Sequence, residues 1–249
     1  MLAFSSLLGN VEGQNIYRIW YDKPASYWEE ALPVGNGRIA AMVFGDPQLE
    51  QIQLNEETVS AGSPYQNYNE EAKAALPEMR RLIFEGKYEE AQNMAATKIL
   101  SQVGNEMPYQ TVGRLNIRYQ DHKKVNNYYR DLDISNAVAV TRYEVDGVEF
   151  TEETFASFTD QLVIRHIKAS KPGTINCELF FNTPMREPKR SIYGKKGLRL
   201  EGITHGSRYF PGKVHYCADL DVKHKGGKVI TANDTLLSVQ GASELTLYI

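Results

Sequence analysis

The chain has 249 residues, of which 42% are hydrophobic and 24% charged, with a formal net charge of −3. That length can bury a large core, as one big β domain or two smaller ones. The acidic balance is offset by no basic tract, which argues against nucleic acid and anionic membranes as partners, and no stretch reaches the length of a membrane span.

Residues 1–14, "MLAFSSLLGNVEGQ", are apolar with small residues and then turn polar. Lacking a basic leading segment, they read as the remnant of a signal peptide or as a short strand or disordered end, with the folded domain running over 15–249. Residues 33–45, "PVGNGRIAAMVFG", place a glycine pair before an apolar run. The dinucleotide-binding fingerprint fails here, because its third glycine is missing and Pro33 stands just ahead of the motif. Asn36-Gly37 suits a tight turn, and 38–44 and 49–54 predict a hairpin around Gly45-Asp46-Pro47-Gln48. In its second arm Glu50, Ile52 and Leu54 share one face, and Gln51 and Gln53 the other.

The period then changes. Ala72, Leu76, Met79 and Ile83 recur at helical spacing over 69–84, with Pro77 expected to kink or restart the helix. Gly86 ends it, and Tyr88, Ala91, Ala95 and Ile99 mark a second helix over 87–102. After about residue 111 the pattern is β. Its strongest signal is "VAVTRYEVDGVEFTEETF", two alternating strands around Asp146-Gly147. Further strands are expected at 161–168, 174–181, 198–204, 214–222, 228–231, 235–239 and 244–249. Short strands at this spacing predict a mainly β antiparallel sandwich or barrel, rather than a parallel α/β sheet, with an inserted helical hairpin. The closing "SELTLYI" reads as a strand without a tail, as in a fragment.

Little of this carries chemistry. Cys177 and Cys217 both lie in strand-like stretches and read as buried free thiols. Glutamate pairs at 29–30, 56–57, 70–71, 89–90 and 152–153 suit solvated faces better than a glycosidase pair held across a cleft. Asn55 and Glu56 stand out because they end a strand and open a polar loop, where sites tend to lie. His215, Cys217 and Asp219 alternate on one strand face, but a straight strand spreads them too far to gather a metal. No Gly-x-Ser-x-Gly motif occurs. The residues alone assign no catalytic, cofactor-binding or metal-ligating position.

Motifs in the first half add to this. Trp28 to Arg38 matches Trp-Glu-x-Ala-Leu-Pro-[Ile/Leu/Val]-Gly-Asn-Gly-Arg. An Ala-Met-Val-[Phe/Tyr]-Gly strand follows at 41–45, a Gln-Leu-Asn-Glu-[Asp/Glu]-Thr strand at 53–58, and Leu-Ile-Phe-Glu-Gly-Lys-Tyr-x-Glu-Ala-Gln at 82–92. The segment "NNYYRDLDISNAVAVTRYEVDGVEFTEETFAS" continues the likeness, which weakens after about residue 185. In this order the blocks resemble the amino-terminal domain of the α-L-fucosidases of glycoside hydrolase family 95. One block departs: where the family reads Thr-Leu-Trp-Ser-Gly-Gly-Pro, this chain has Thr58-Val59-Ser60-Ala61-Gly62-Ser63-Pro64 and no tryptophan.

The resemblance implies a large β-sandwich, a super-sandwich, that is itself non-catalytic. It implies that a downstream (α/α)₆ barrel, outside these 249 residues, supplies the glutamic acid and water-activating asparagine/aspartate set for inverting hydrolysis. The sandwich would brace that barrel and line one side of the cleft for a glycan substrate, without a cofactor, in a periplasmic or secreted bacterial hydrolase. Asn36, Arg38, Asn55, Glu56 and Tyr65 are then the expected interface or cleft rim. The rival expectation is a free-standing carbohydrate-binding module using Tyr65, Tyr68, Tyr209 and Phe210.

Overall fold

The structure, a computed structural model, describes residues 17–62, 66–101, 107–207 and 211–249. The first half contains β1 (Arg18–Tyr21), β2 (Leu32–Gly35), β3 (Ile39–Val43), β4 (Leu49–Glu56), α1 (Ala72–Phe84) and α2 (Tyr88–Met94). Then come β5 (Gly113–Tyr119), β6 (Asn126–Asp133), β7 (Val138–Val145), β8 (Val148–Ala156), β9 (Val163–Ala169) and β10 (Ile175–Asn182). The last six are β11 (Arg186–Tyr193), β12 (Gly197–Ile203), β13 (His215–Lys225), β14 (Lys228–Asn233), β15 (Leu236–Ala242) and β16 (Glu244–Tyr248).

The strands form two antiparallel sheets. One has nine strands in the order β1-β6-β7-β8-β9-β16-β13-β12-β11, and the other seven in the order β14-β15-β10-β5-β4-β3-β2. Alternating side chains meet between them in a single apolar core that includes Ile52, Leu115, Ile117, Ile167, Leu179 and Leu247. Val145 pairs with Val148 across Asp146 (φ 50°) and Gly147 (φ 71°), the left-handed pair that a two-residue hairpin turn demands.

Five strands were not singled out in the sequence: β1, β2 and β11, which lie at sheet edges, and β5 and β6, which lie inside the sheets within the stretch read only as generally β. An edge strand needs less apolar alternation, and it tolerates Pro33, whose missing N–H costs no ladder bond on the free side. The helical insertion forms as expected but differs in detail. α1 runs through Pro77 without restarting, and α2 is shorter than its pattern, giving way to a π turn at Ala95–Ile99. The helices pack chiefly on each other. Cys177 is buried as expected, but Cys217 is exposed. In β13 the even-numbered Leu220 and Val222 point into the core, which puts Cys217 on the outward face.

Candidate functional site

At one end of the sandwich, residues from both sheets surround a cleft of about 250 Å³. Its walls include Arg38, Asn55 and Glu56 from the seven-stranded sheet, and Gln161, Cys217 and Asp219 from the other. Four of the five expected rim residues are thus gathered at or beside it, while Tyr65 lies outside the described residues, as do Tyr209 and Phe210 of the rival reading.

Asn36 acts as the turn's staple. Its Oδ1 accepts from the Arg38 and Ile39 amides at 3.0 and 2.9 Å, and its Nδ2 donates to the Ser157 carbonyl at 2.8 Å. Gly37 supplies the left-handed φ of 93° that closes the turn. The staple delivers Arg38 to the cleft, where Nε donates to Glu56 Oε1 at 3.2 Å. Glu56 Oε2 also accepts from the Thr58 amide at 2.8 Å and the Thr58 hydroxyl at 2.5 Å. Partial burial pushes the Glu56 carboxyl upward, but the Thr58 bonds and Arg38 outweigh it and hold the group below its ordinary range.

The second carboxylate of the cleft is held the same way. Arg199 Nε and Nη2 each donate to Asp219 at 2.6 Å, and this bidentate pair keeps Asp219 ionised below its ordinary value. The Cys217 Sγ lies 3.5 Å from Asp219 Oδ1. Burial and that neighbouring charge push the thiol up, so it is a poor nucleophile. Among the described residues no group of three or more His, Cys, Asp or Glu side chains is placed to hold a metal ion. The cleft therefore offers two fixed anions and hydrogen-bonding groups, and no neutral carboxyl to serve as a proton donor.

The carboxyl group that does rise lies elsewhere. Glu50, on the inward face of β4, is fully buried and pushed up to about 7 by that burial, despite the nearby Arg165. Its Oε1 accepts from the Phe44 and Gly45 amides at 3.1 Å each, and its Oε2 from Arg165 Nη2 at 3.0 Å. The same Nη2 donates to Glu152, and Arg165 Nη1 donates to Thr154 Oγ1 at 2.7 Å. Tyr119 and Tyr143 donate to Glu152 Oε1 at 2.7 and 2.8 Å. His122 Nδ1–H closes the network on the Pro47 carbonyl at 3.1 Å.

Sequence reasoning missed this cluster, although a signal was present. Arg165 occupies an inward position of β9 between Val163 and Ile167, and Glu50 stands in phase with Ile52 and Leu54. Ionic residues of opposite sign on two core faces are candidates for one buried pair.

Comparison with known proteins supplies the family. Residues 19–249 match the family described as "Glycosyl hydrolase family 65, N-terminal domain". The chain belongs to this family of amino-terminal domains. Among its relatives, "Alpha-L-fucosidase 2" of Arabidopsis thaliana is 37% identical over 204 residues, covering 80% of this chain and 24% of that protein. "Probable alpha-fucosidase A" of Aspergillus niger is 26% identical over 162 residues, covering 61% of this chain and 20% of that protein. The protein of the same name from Aspergillus oryzae is 25% identical over 211 residues, covering 80% and 28%. This glycosyl hydrolase amino-terminal domain thus spans about a quarter of the length of the curated relatives it matches. The fucosidase likeness read from the motifs agrees with the names of these relatives.

Proposed function

We propose that this chain is the non-catalytic sandwich domain of an inverting, α-L-fucosidase-like hydrolase, in which it braces a catalytic (α/α)₆ barrel carried by the rest of the polypeptide and lines one side of the glycan cleft. The observation that carries the non-catalytic reading is the state of the carboxylates. Inverting hydrolysis needs a protonated acid and a base roughly 6.5–9.5 Å apart across the sugar. Here both cleft carboxylates are held ionised, Glu56 by Thr58 and Arg38 and Asp219 by Arg199, and the one pushed up to about 7 is sealed in the core where no sugar reaches.

The bracing role has its own support. Tyr68, Phe84, Tyr88 and Leu100 on and around the helical hairpin are 60–88% exposed. Helices that pack chiefly on each other yet show such side chains to solvent suit a surface that meets another domain. A periplasmic or secreted bacterial setting remains part of the proposal, and fractionation of cells producing the tagged full-length protein tests it.

The main test measures fucose release from an aryl α-L-fucoside and from 2′-fucosyllactose. The full-length polypeptide should release fucose and residues 1–249 should not. Saturable release by 1–249, lost on mutating Glu56 or Asp219, would overturn the reading.

A further inference from the structure

The outer face of the seven-stranded sheet carries polar side chains in register. Gln51 and Gln53 of β4 pair with Asn116 and Arg114 of β5, and Arg114 in turn pairs with Asn182 of β10. Asn116 Nδ2 donates to Asn182 Oδ1 at 3.2 Å, so amides from adjacent strands form a ladder. Two hollows flank it. One, of about 540 Å³, has Tyr27, Trp28, Asp46 and Gln51 in its walls. The other, of about 360 Å³, is walled by Gln53, Asn182 and Thr183. Arg114 belongs to both, so the hollows adjoin along one trough.

Each part of the trough is held in place. The Ala25 amide donates to the Phe44 carbonyl at 2.9 Å, which fastens the loop bearing Tyr27 and Trp28 over the sheet. These two rings are 58% and 49% exposed, so each keeps a face for a ligand. Arg114 Nη1 donates to Gln51 Oε1 at 2.6 Å, and its guanidinium lies 5.7 Å from the centre of the Phe44 ring. Among the described residues that is its one hydrogen bond, which leaves its other N–H groups to either hollow.

This surface has the chemistry of a sugar. A pyranose shows an apolar C–H face, which an aromatic ring covers, and a rim of hydroxyls that both donate and accept. Amides and a guanidinium set at fixed spacing answer that rim. An apolar peptide would leave the remaining N–H groups of the Arg114 guanidinium unpaired, and a phosphate would meet the Asp46 carboxylate. We propose that the trough binds a neutral oligosaccharide of about two to four rings, with Tyr27 and Trp28 as the platform and Arg114 as the shared central donor. The choice of sugar as ligand class rests on the fucosidase-like reading above, whereas the site itself lies apart from the cleft and needs no barrel.

Isothermal titration of the 249-residue chain with 2′-fucosyllactose, lactose and cellotetraose tests it, alongside Trp28→Ala, Arg114→Met and Phe158→Ala, with folding checked by thermal unfolding. At least one sugar should bind saturably. Trp28→Ala should weaken that binding about fivefold or more, the worth of one aromatic contact, and Arg114→Met should also weaken it. Phe158→Ala, an exposed aromatic outside the trough, should leave it unchanged. No binding of any of the three, or binding that folded Trp28→Ala leaves intact, would overturn the proposal. Fucose release by the full-length polypeptide is read separately, so loss of the trough and loss of the fucosidase reading give different results.

Discussion

Glu50 and Glu56 lie on the same strand, and each faces an arginine from another part of the chain. Glu50 is sealed between the sheets with Arg165 and Glu152, while Glu56 meets Arg38 at an open rim where the arginine side chain is 57% exposed. Burial drives the first carboxyl up to about 7, and local hydrogen bonds hold the second below its ordinary range. The chemistry of the partners is alike, and access of water separates the outcomes. In the core every ionic group depends on its neighbours for solvation, so the cluster stands or falls as a unit. At the rim, water replaces whatever is removed.

The strongest way to break the comparison is to remove the core arginine. Arg165→Leu leaves Glu50 and Glu152 facing each other without a cation, and should destabilise the domain by about 3–5 kcal/mol. Urea unfolding followed by tryptophan fluorescence measures the loss. Stability within about 1 kcal/mol of the parent would mean that water reaches the cluster and that core and rim do not differ.

Titration separates the two sites next. Glu50 has a folded-state pKa raised to about 7, against about 4.3 for an unfolded glutamate, so the folded state binds the extra proton between these values. Its contribution to stability is fully present below the unfolded value and is lost as pH rises through the folded one, a change on the order of 3–4 kcal/mol. Glu56 and Asp219 have the opposite sign: their contribution is present above the ordinary carboxylate value and is lost on acidification below it. Unfolding midpoints from about pH 4 to about pH 8 should fall for the parent relative to Glu50→Gln. Parallel curves for the two proteins would remove Glu50 as the source.

A third change acts through the backbone that serves the cluster. Gly45 donates its amide to Glu50, has φ 74°, and leaves no room for a side chain, since an added Cβ would come within 2.7 Å of the Tyr128 hydroxyl and 2.9 Å of Arg130 Cδ. Gly45→Ala should therefore cost about 2 kcal/mol in the same urea assay. A neutral substitution would show that the turn can shift without disturbing Glu50.

The comparison also explains what the sequence could and could not reveal. The core strands were legible because period-2 burial is a property of the strand itself, as in β4 and the Asp146-Gly147 hairpin. The edge strands β1, β2 and β11 were not, because an edge strand needs less apolar alternation, and β5 and β6 were missed inside the sheets because polar residues such as Arg114, Asn116, Arg130 and Asp131 break up their apolar pattern. Of the candidate rim residues, Asn55 and Glu56 were singled out because they end a strand and open a loop, and the fold places them in one cleft wall with Arg38, next to the turn that Asn36 staples. Neither Asp219 with Arg199 nor Arg114 beside Trp28 could be read in that way. Arg199 and Asp219 face each other only through the register of β12 on β13, and Arg114 and Trp28 share a hollow only because the loop bearing Trp28 folds over the other sheet. The Glu50–Arg165 pair, with a separation of 115 residues, was hidden because only the pairing of the two sheets brings it together.

The smallest effect is expected at the rim. Glu56→Gln keeps an oxygen to accept from Thr58 and loses only the charge toward Arg38, a pair open to solvent and screened by salt. Exposed pairs of this kind contribute about 0.2–1 kcal/mol, so the isolated domain should unfold within that margin of the parent. In the full-length polypeptide, on the proposed hydrolase reading, the same change should weaken stability or substrate binding modestly, as expected for a residue lining an interface or cleft wall. Turnover on the aryl fucoside, measured beside KM, should remain close to the parent, because Glu56 is held ionised and is not available to donate a proton. A fall in kcat of several orders of magnitude at unchanged KM would place Glu56 among the reacting groups, and would make the water-exposed carboxylate, rather than the buried one, the more consequential of the two.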